Sequence, residues 1–105
     1  MKNLTQEEWR TQLVKDRSAV IIDARTKEEC SSGIINKAIM IDFLQPDVFV
    51  NEIQKLDKSK NFYVYCRSGN RSGKACAMMD EMGFNETYNL LGGMNEWNSE
   101  KTNPI

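Results

Sequence analysis

Histidine is absent from the 105-residue chain, and this absence limits the chemistry that the protein can perform. Histidine is the side chain that most often activates a nucleophile near neutral pH, so a nucleophile here must be activated by other groups. Cysteine occurs only three times and never as a Cys-x-x-Cys pair, which argues against a thioredoxin-type dithiol. Without histidine, three scattered cysteines also argue against a structural zinc site.

Long apolar runs and a strong net charge are missing as well. No stretch approaches the ~18 apolar residues that a membrane span needs, and the N-terminal segment has acidic residues and lacks the apolar core of a signal peptide. The net charge of −1 provides no global field that would recruit nucleic acid or a membrane. We therefore expect a single domain over residues 1–105 in a reducing cytoplasm, with no nucleic-acid or membrane partner.

Strand and helix patterns alternate along the chain. Thr5-Gln6-Glu7-Glu8 and Thr26-Lys27-Glu28-Glu29 match the capping box that starts a helix, and Gly33 should stop the second of these helices. Pro46 fits the first position of a further helix, whose apolar face comprises Val48, Phe49, Ile53 and Leu56. The first of these helices is predicted over residues 6–15, further helices are predicted over residues 71–82 and around Trp97, and strands over residues 19–23, 38–41, 62–65 and 87–91. This alternation predicts an α/β fold with a mostly parallel central sheet that helices cover on both faces.

The most informative stretch is residues 62–74, where an apolar strand ends in Cys66 and a glycine-containing loop leads into a helix. Unpaired backbone N–H groups and the positive end of the helix dipole favour an anion at that point. The thiol of Cys66 should therefore ionise more readily than a free thiol. Arg67, Arg71 and Lys74 lie in the same stretch with no acidic residue among them, which makes a local trap for an anion. The pattern indicates thiolate chemistry on a small anionic substrate.

Other phosphate-binding motifs do not fit this loop. A Walker A loop needs four residues between its glycines and a hydroxyl residue after its lysine, whereas three residues separate Gly69 from Gly73 and Ala75 follows the lysine. No Gly-x-Gly-x-x-Gly fingerprint of a dinucleotide site occurs. The nearest alternative is the cysteine phosphatase signature Cys-x5-Arg, in which the arginine clamps phosphoryl oxygens. Here Ser72 occupies that position and Arg71 comes one residue earlier, which favours a tighter cradle suited to a thiol-bound sulfur.

Taken together, these motifs resemble those of a single-domain rhodanese over residues 17–98. The motifs of the second half are Cys66-Arg67-Ser68-Gly69-Asn70-Arg71-Ser72, Met82-Gly83-Phe84, Asn89-Leu90, Gly92-Gly93 and Trp97. Those of the first half are Asp23-Ala24-Arg25, Glu29, Gly33, Ile35 and Ala38. Two positions depart from the family pattern: Ile34 stands where histidine is usual, and Lys37 stands where glycine is usual. Neither position belongs to the catalytic loop, so the departures concern local packing and partner surface more than chemistry.

The resemblance implies a three-layer rhodanese-like fold and a sulfurtransferase with no metal and no cofactor. The cysteine of such an enzyme takes sulfur from a small anionic donor such as thiosulfate, and an acceptor such as cyanide or a thiol, including a protein thiol, removes it. Here the persulfide would form on Cys66, with backbone N–H groups of residues 67–72 stabilising it. Two alternatives stay open: a persulfide-relay or protein-binding module with little thiosulfate turnover, and an oxyanion phosphatase or arsenate reductase.

The residues of the loop have different expected roles. Cys66 is the expected nucleophile, the other possibility being a buried cysteine at a strand end. The expected substrate-binding residues are Arg67, Ser68, Gly69, Asn70, Arg71 and Ser72. Within this set, Arg71 is the expected anion-binding side chain. Arg67 either touches the substrate or pairs with an acid such as Asp23 or Glu29.

Support for the loop is expected from the neighbouring strand end. Ligands of parallel sheets bind beyond the carboxyl ends of the strands, where Asp23 and Arg25 also lie. Asp23, Arg25 and Glu29 should form an ion-pair network that supports the loop. Cys30 and Cys76 are expected to be inert residues of the core.

Overall fold

The computed structural model describes residues 1–104 and shows strands and helices in alternation. The five strands are β1 (Lys2–Leu4), β2 (Ala19–Asp23), β3 (Ile39–Met40), β4 (Asn61–Tyr65) and β5 (Glu86–Leu90). The five helices are α1 (Gln6–Lys15), α2 (Lys27–Cys30), α3 (Pro46–Ile53), α4 (Asn70–Glu81) and α5 (Gly93–Glu96). No helix in this described part is long and apolar enough to cross a membrane.

The strands form one sheet in the order β1-β5-β4-β2-β3, and every neighbouring pair is parallel. Strands β2 and β4 lie side by side in the middle, with Asp23 opposite Tyr65 at their carboxyl ends. This register brings Ala24 and Cys66, the residues that follow the two strands, to the same edge of the sheet. Edges of this kind are where open parallel sheets bind ligands.

Each face of the sheet has its own hydrophobic core, because alternate residues of a strand point to opposite faces. On one face α3 and α4 cover the sheet, and the core there includes Ile22, Phe62, Val64, Phe49 and Met79. On the other face α1 and α5 cover it, and the core includes Ile21, Tyr63, Tyr65, Trp9 and Met94. The predicted α/β fold, with a parallel sheet and helices on both faces, is confirmed.

Local signals in the sequence account for where several helices begin. Both predicted capping boxes are present. The side chains of Thr5 and Thr26 accept from the backbone N–H three residues later, and the side chains of Glu8 and Glu29 accept from the backbone N–H of the two threonines. Pro46 stands at the start of α3, where its missing N–H removes no helical hydrogen bond. These helices therefore begin where short-range hydrogen bonding favours them.

Three features differ from the sequence-based expectation. Strand β1 was not predicted, and it pairs with β5 at the edge of the sheet. Strand β3 has only two paired residues, fewer than the four predicted, and both are exposed. Val48 is exposed, because Phe49 and Ile53 are four residues apart and share the buried face of α3, from which the adjacent Val48 is rotated away.

Candidate active site

Cys66 directly follows β4 and lies at the amino end of α4, in the position that the sequence predicted. Its Sγ accepts a hydrogen bond from the backbone N–H of Gly69 at 3.1 Å. Gly69 caps α4 with a φ of +100°, a conformation that favours glycine, and a Cβ there would lie 3.2 Å from the carbonyl oxygen of Leu90. The loop thus turns sharply enough to aim N–H groups at the sulfur because residue 69 has no side chain.

Hydrogen bonds to the sulfur decide the ionisation of Cys66. Burial of the side chain opposes the thiolate, but hydrogen bonds from the Ser72 side chain and from the backbone of Ser72, Gly69 and Ser68 outweigh burial and lower the pKa of Cys66. The amino end of α4 adds a favourable dipole. The loop itself therefore promotes the thiolate, in a chain that has no histidine to act as its base.

Ser72 and Asn89 form a second layer behind the sulfur. The Oγ of Ser72 lies 3.3 Å from the Sγ of Cys66 and 2.5 Å from the Oδ1 of Asn89. Asn89 donates through its Nδ2 to the Oδ1 of Asn3 and to the carbonyl oxygen of Gly69, both at 3.0 Å, which fixes its Oδ1 toward Ser72. A hydroxyl has one proton to donate, so the sulfur and the amide oxygen share a single donor.

Backbone hydrogen bonds from the start of α5 fix the first residues of the catalytic loop. The backbone N–H of Met94 donates to the carbonyl oxygen of Cys66 at 3.0 Å, and that of Asn95 donates to the carbonyl oxygen of Arg67 at 2.9 Å. Gly93 has a φ of +52°, and a Cβ there would lie within 2.7 Å of the same two carbonyl groups. The two backbones can approach this closely because Gly93 has no side chain.

Asp23 and Arg25 form a buried ion pair at the end of β2. The Nη2 of Arg25 lies 2.7 Å from the Oδ2 of Asp23, and its Nε also donates to that carboxylate. Burial disfavours the guanidinium charge, but the hydrogen bonds and the negative charge of Asp23 outweigh burial and raise the pKa of Arg25. Arg25 also donates to the carbonyl oxygens of Glu29 and Gly33, so it ties the segment around α2 to the strand end beside Cys66.

Arg71 is bound to Glu29 in a bidentate salt bridge, with both terminal nitrogens 2.8 Å from the carboxylate oxygens. The hydrogen bonds from Arg71 lower the pKa of Glu29 to about 2, and Glu29 in turn raises the pKa of Arg71. Residue 71 therefore lies at the loop as predicted, with its guanidinium oriented by an acidic partner from α2. Its role toward an anion stays a prediction.

Arg67 pairs with neither of the acids that the sequence offered as partners, since Arg25 occupies Asp23 and Arg71 occupies Glu29. It is exposed, and its Nε donates to the Oδ1 of Asn95 at 3.4 Å. Contact of Arg67 with a ligand stays a prediction.

The remaining predicted residues lie at the rim or in the core. Ser68 and Asn70 are exposed residues of the segment that follows Cys66. Cys30 and Cys76 are buried free thiols, and burial raises the pKa of each to about 12, so both stay protonated near neutral pH. Within residues 1–104, no group of three or more cysteine, aspartate or glutamate side chains is placed to hold a metal ion.

Three residues contribute to the site in ways that the sequence did not reveal. Asn89 orients Ser72, Asn3 orients Asn89, and Gly93 allows the close approach of α5. The segment Asn89-Leu90-Leu91-Gly92-Gly93 did provide a signal, because a polar residue inside a buried strand followed by two glycines calls for a structural reason. Asn3 provided none, since it stands in an exposed strand of three residues.

Comparisons with known proteins agree on one family. Residues 5–100 match the family model described as Rhodanese-like domain. The chain is 33% identical over 100 residues to YtwF of Bacillus subtilis (strain 168), covering 95% of this chain and 93% of that protein. It is also 33% identical over 91 residues to thiosulfate sulfurtransferase GlpE of Coxiella burnetii, covering 87% and 80% of the two chains. The crystal structure of a rhodanese-like domain protein from Staphylococcus aureus superposes with a TM-score of 0.85 at 28% identity, over the full length of both chains.

Proposed function

The chain belongs to the family of rhodanese-like domains, and from this membership we propose that it is a sulfurtransferase that carries sulfane sulfur as a persulfide on Cys66. The relative named as a thiosulfate sulfurtransferase suggests thiosulfate as a donor. The observation that carries the proposal is the sulfur of Cys66, 3.1 Å from the N–H of Gly69 at the amino end of α4. That environment stabilises a thiolate before any substrate arrives.

In the first half-reaction the Cys66 thiolate attacks the outer sulfur of thiosulfate. A bond forms between Sγ and that sulfur, the sulfur–sulfur bond of thiosulfate breaks, and sulfite leaves with the electron pair. In the second half-reaction an acceptor such as cyanide or a thiolate attacks the outer sulfur of the persulfide. The bond to Sγ breaks, and the electron pair returns to Sγ as the thiolate. Because a covalent intermediate separates the two steps, ping-pong kinetics are expected.

The loop is suited to this cycle because its donors serve an anion at every stage. The N–H groups that lower the pKa of Cys66 would also stabilise the negative charge of the persulfide and of the departing thiolate. No proton needs to be removed by a base when the thiolate is already populated. Arg67 and Arg71 would attract the anionic donor, Arg71 from its position against Glu29.

Three free thiols fit a reducing compartment, so we place this activity in the cytoplasm.

The test is the mass of the intact protein after incubation with thiosulfate. We expect a gain of one sulfur atom in the wild type and in Cys76→Ala, and no gain in Cys66→Ala. Thiosulfate:cyanide sulfurtransfer should disappear in the same variant. Activity that persists in Cys66→Ala would show that the proposed nucleophile is wrong.

A persulfide-relay role is a second candidate, because Arg67, Ser68 and Asn70 form an exposed rim around the loop that a protein donor could approach. In that case thiosulfate turnover is negligible, and a cysteine desulfurase with cysteine adds sulfur to Cys66. Mass spectrometry of the protein after incubation with the desulfurase separates the two candidates. The absence of a persulfide on Cys66 in that experiment excludes the relay.

A further inference from the structure

A small basic pocket lies beside the catalytic loop and is separate from the sulfur cradle. Its volume is about 310 Å³, and its walls include Arg25, Glu29, Ser32, Arg67, Asn95 and Lys101. Arg67 directly follows the nucleophile, so the pocket adjoins the reaction centre, although neither Cys66 nor residues 68–72 line it. A ligand whose sulfur meets Cys66 must therefore extend beyond the sulfur site to place a charged group in the pocket.

The charges of the pocket do not cancel. Arg25 is paired with Asp23, and Glu29 is paired with Arg71. Within residues 1–104, neither Arg67 nor Lys101 has a carboxylate at ion-pair distance. Two cations therefore face one concavity without an acidic partner in the part of the chain that the structure describes. Such an arrangement attracts an anionic group, and the planar fork of an arginine is suited to a carboxylate.

Lys101 is positioned at the pocket by contacts of the backbone and of its own stem. Ile34 and Thr102 form an antiparallel bridge with two backbone hydrogen bonds of 2.8 Å, which anchors the segment that contains Lys101. Its aliphatic stem lies against Gly33, where a Cβ would come within 3.2 Å of the Cβ of Lys101. These contacts hold residue 101 at the wall of the pocket.

We propose that Arg67 and Lys101 bind a carboxylate of the sulfur acceptor, and that the acceptor is a small thiol whose carboxylate is distant from its sulfur. This assignment rests on the proposed sulfurtransferase function and specifies its second substrate. The acceptor thiolate attacks the outer sulfur of the Cys66 persulfide, and the acceptor departs as a persulfide that carries this sulfur. The bond to Sγ breaks with the electron pair remaining on Cys66. The amide nitrogen of Asn95 is an additional donor, because its oxygen already accepts from Arg67.

The test compares glutathione with its diethyl ester, in which both carboxylates are masked, with thiosulfate as the donor. Lys101→Glu should lower kcat/KM for glutathione about fivefold, because an attraction becomes a repulsion, while the ester reacts as with the wild type. Lys15→Glu is the matched control, since Lys15 is an exposed lysine at the end of α1 that does not line the pocket. An unchanged ratio of acid to ester in Lys101→Glu overturns the proposal, and so does an equal fall in Lys15→Glu.

A second measurement does not depend on sulfur transfer. Disulfide reagents should react with Cys66 alone, since burial keeps Cys30 and Cys76 protonated. Lys101→Glu should slow the reaction with dithiobis(nitrobenzoate), which carries carboxylates, and should leave the reaction with neutral dithiodipyridine unchanged. If neither thiosulfate nor a cysteine desulfurase with cysteine adds sulfur to Cys66, the proposed function fails and the acceptor role fails with it. The two disulfide reagents still decide whether the pocket binds carboxylates, and equal rates in Lys101→Glu and the wild type overturn that binding.

Discussion

Removing the hydroxyl of Ser72 tests whether a side chain shares in the activation of Cys66. The Oγ of Ser72 lies 3.3 Å from the sulfur, and its hydrogen bond contributes to the lowered pKa of Cys66. A hydrogen bond to a charged group is worth about 1.5–3 kcal/mol, but this one is divided between the sulfur and the Oδ1 of Asn89. Half of that range corresponds to about one pKa unit. Ser72→Ala should therefore raise the pKa of Cys66 by about one unit.

The assay is the rate of alkylation by iodoacetamide as a function of pH. The midpoint of the rate profile gives the pKa of Cys66, because the two buried cysteines stay protonated through the neutral range. At neutral pH the thiolate fraction of Ser72→Ala should fall up to about tenfold. Ser68→Ala is the matched control, since Ser68 is an exposed serine of the same loop whose side chain makes no hydrogen bond to the sulfur.

A different result would show that the hydroxyl proton of Ser72 is not donated to the sulfur. A pKa that stays the same or falls in Ser72→Ala would mean that the hydroxyl donates to Asn89 only, and that the backbone N–H groups alone lower the pKa of Cys66. The thermal midpoint must be measured in parallel, because the substitution leaves the buried oxygen of Asn89 without its donor at a cost of about 1–3 kcal/mol. Ser72→Thr retains the hydroxyl and should keep the wild-type profile.

Three further predictions concern the supports of the loop. Asp23→Ala should lower the free energy of unfolding by about 3–5 kcal/mol in urea titrations, because Arg25 is left charged and buried; a loss below 1 kcal/mol would contradict the buried pair. Gly93→Ala should cost more than about 2 kcal/mol and abolish sulfurtransfer, because its Cβ overlaps two backbone carbonyl groups, and retained activity would argue against this contact. The Glu29–Arg71 pair should add about 1 kcal/mol to the free energy of unfolding above a pH of about 4.5, the pKa of this carboxyl in the unfolded chain, and this contribution should disappear as the pH falls toward about 2. Glu29→Gln should flatten this part of the curve of stability against pH, and a curve identical to that of the wild type would exclude the contribution.

Features that depend on neighbouring residues were predictable from the sequence. The capping boxes at Thr5 and Thr26 act over three residues, and both helices begin where those boxes place them. The position of Cys66 between a strand and a helix is equally local, because a buried run, a glycine and a helical pattern follow one another along the chain. The fold class followed from the alternation of these local patterns.

Features that depend on distant pairing were not predictable. Strand β1 has three residues without a buried pattern, and it exists because β5, far along the chain, offers an unpaired edge. Similarly, the sequence showed two acids and several arginines near the site, but only the packing of α2 against α4 determines that Glu29 binds Arg71. Which of several arginines pairs with a given acid depends on the tertiary structure, which local sequence patterns do not encode.

The contact between Asn3 and Asn89 links the reactivity of the thiol to the mechanical state of the sheet edge. Asn89 is held by Asn3 of β1 and by the carbonyl oxygen of the glycine that caps α4. Edge strands open at a smaller free energy than the centre of a sheet, so β1 should detach before the protein unfolds as a whole. Each detachment removes one of the two acceptors that orient the amide of Asn89 behind the sulfur. We therefore expect the alkylation rate of Cys66 to respond to fraying of β1 at the edge of the sheet.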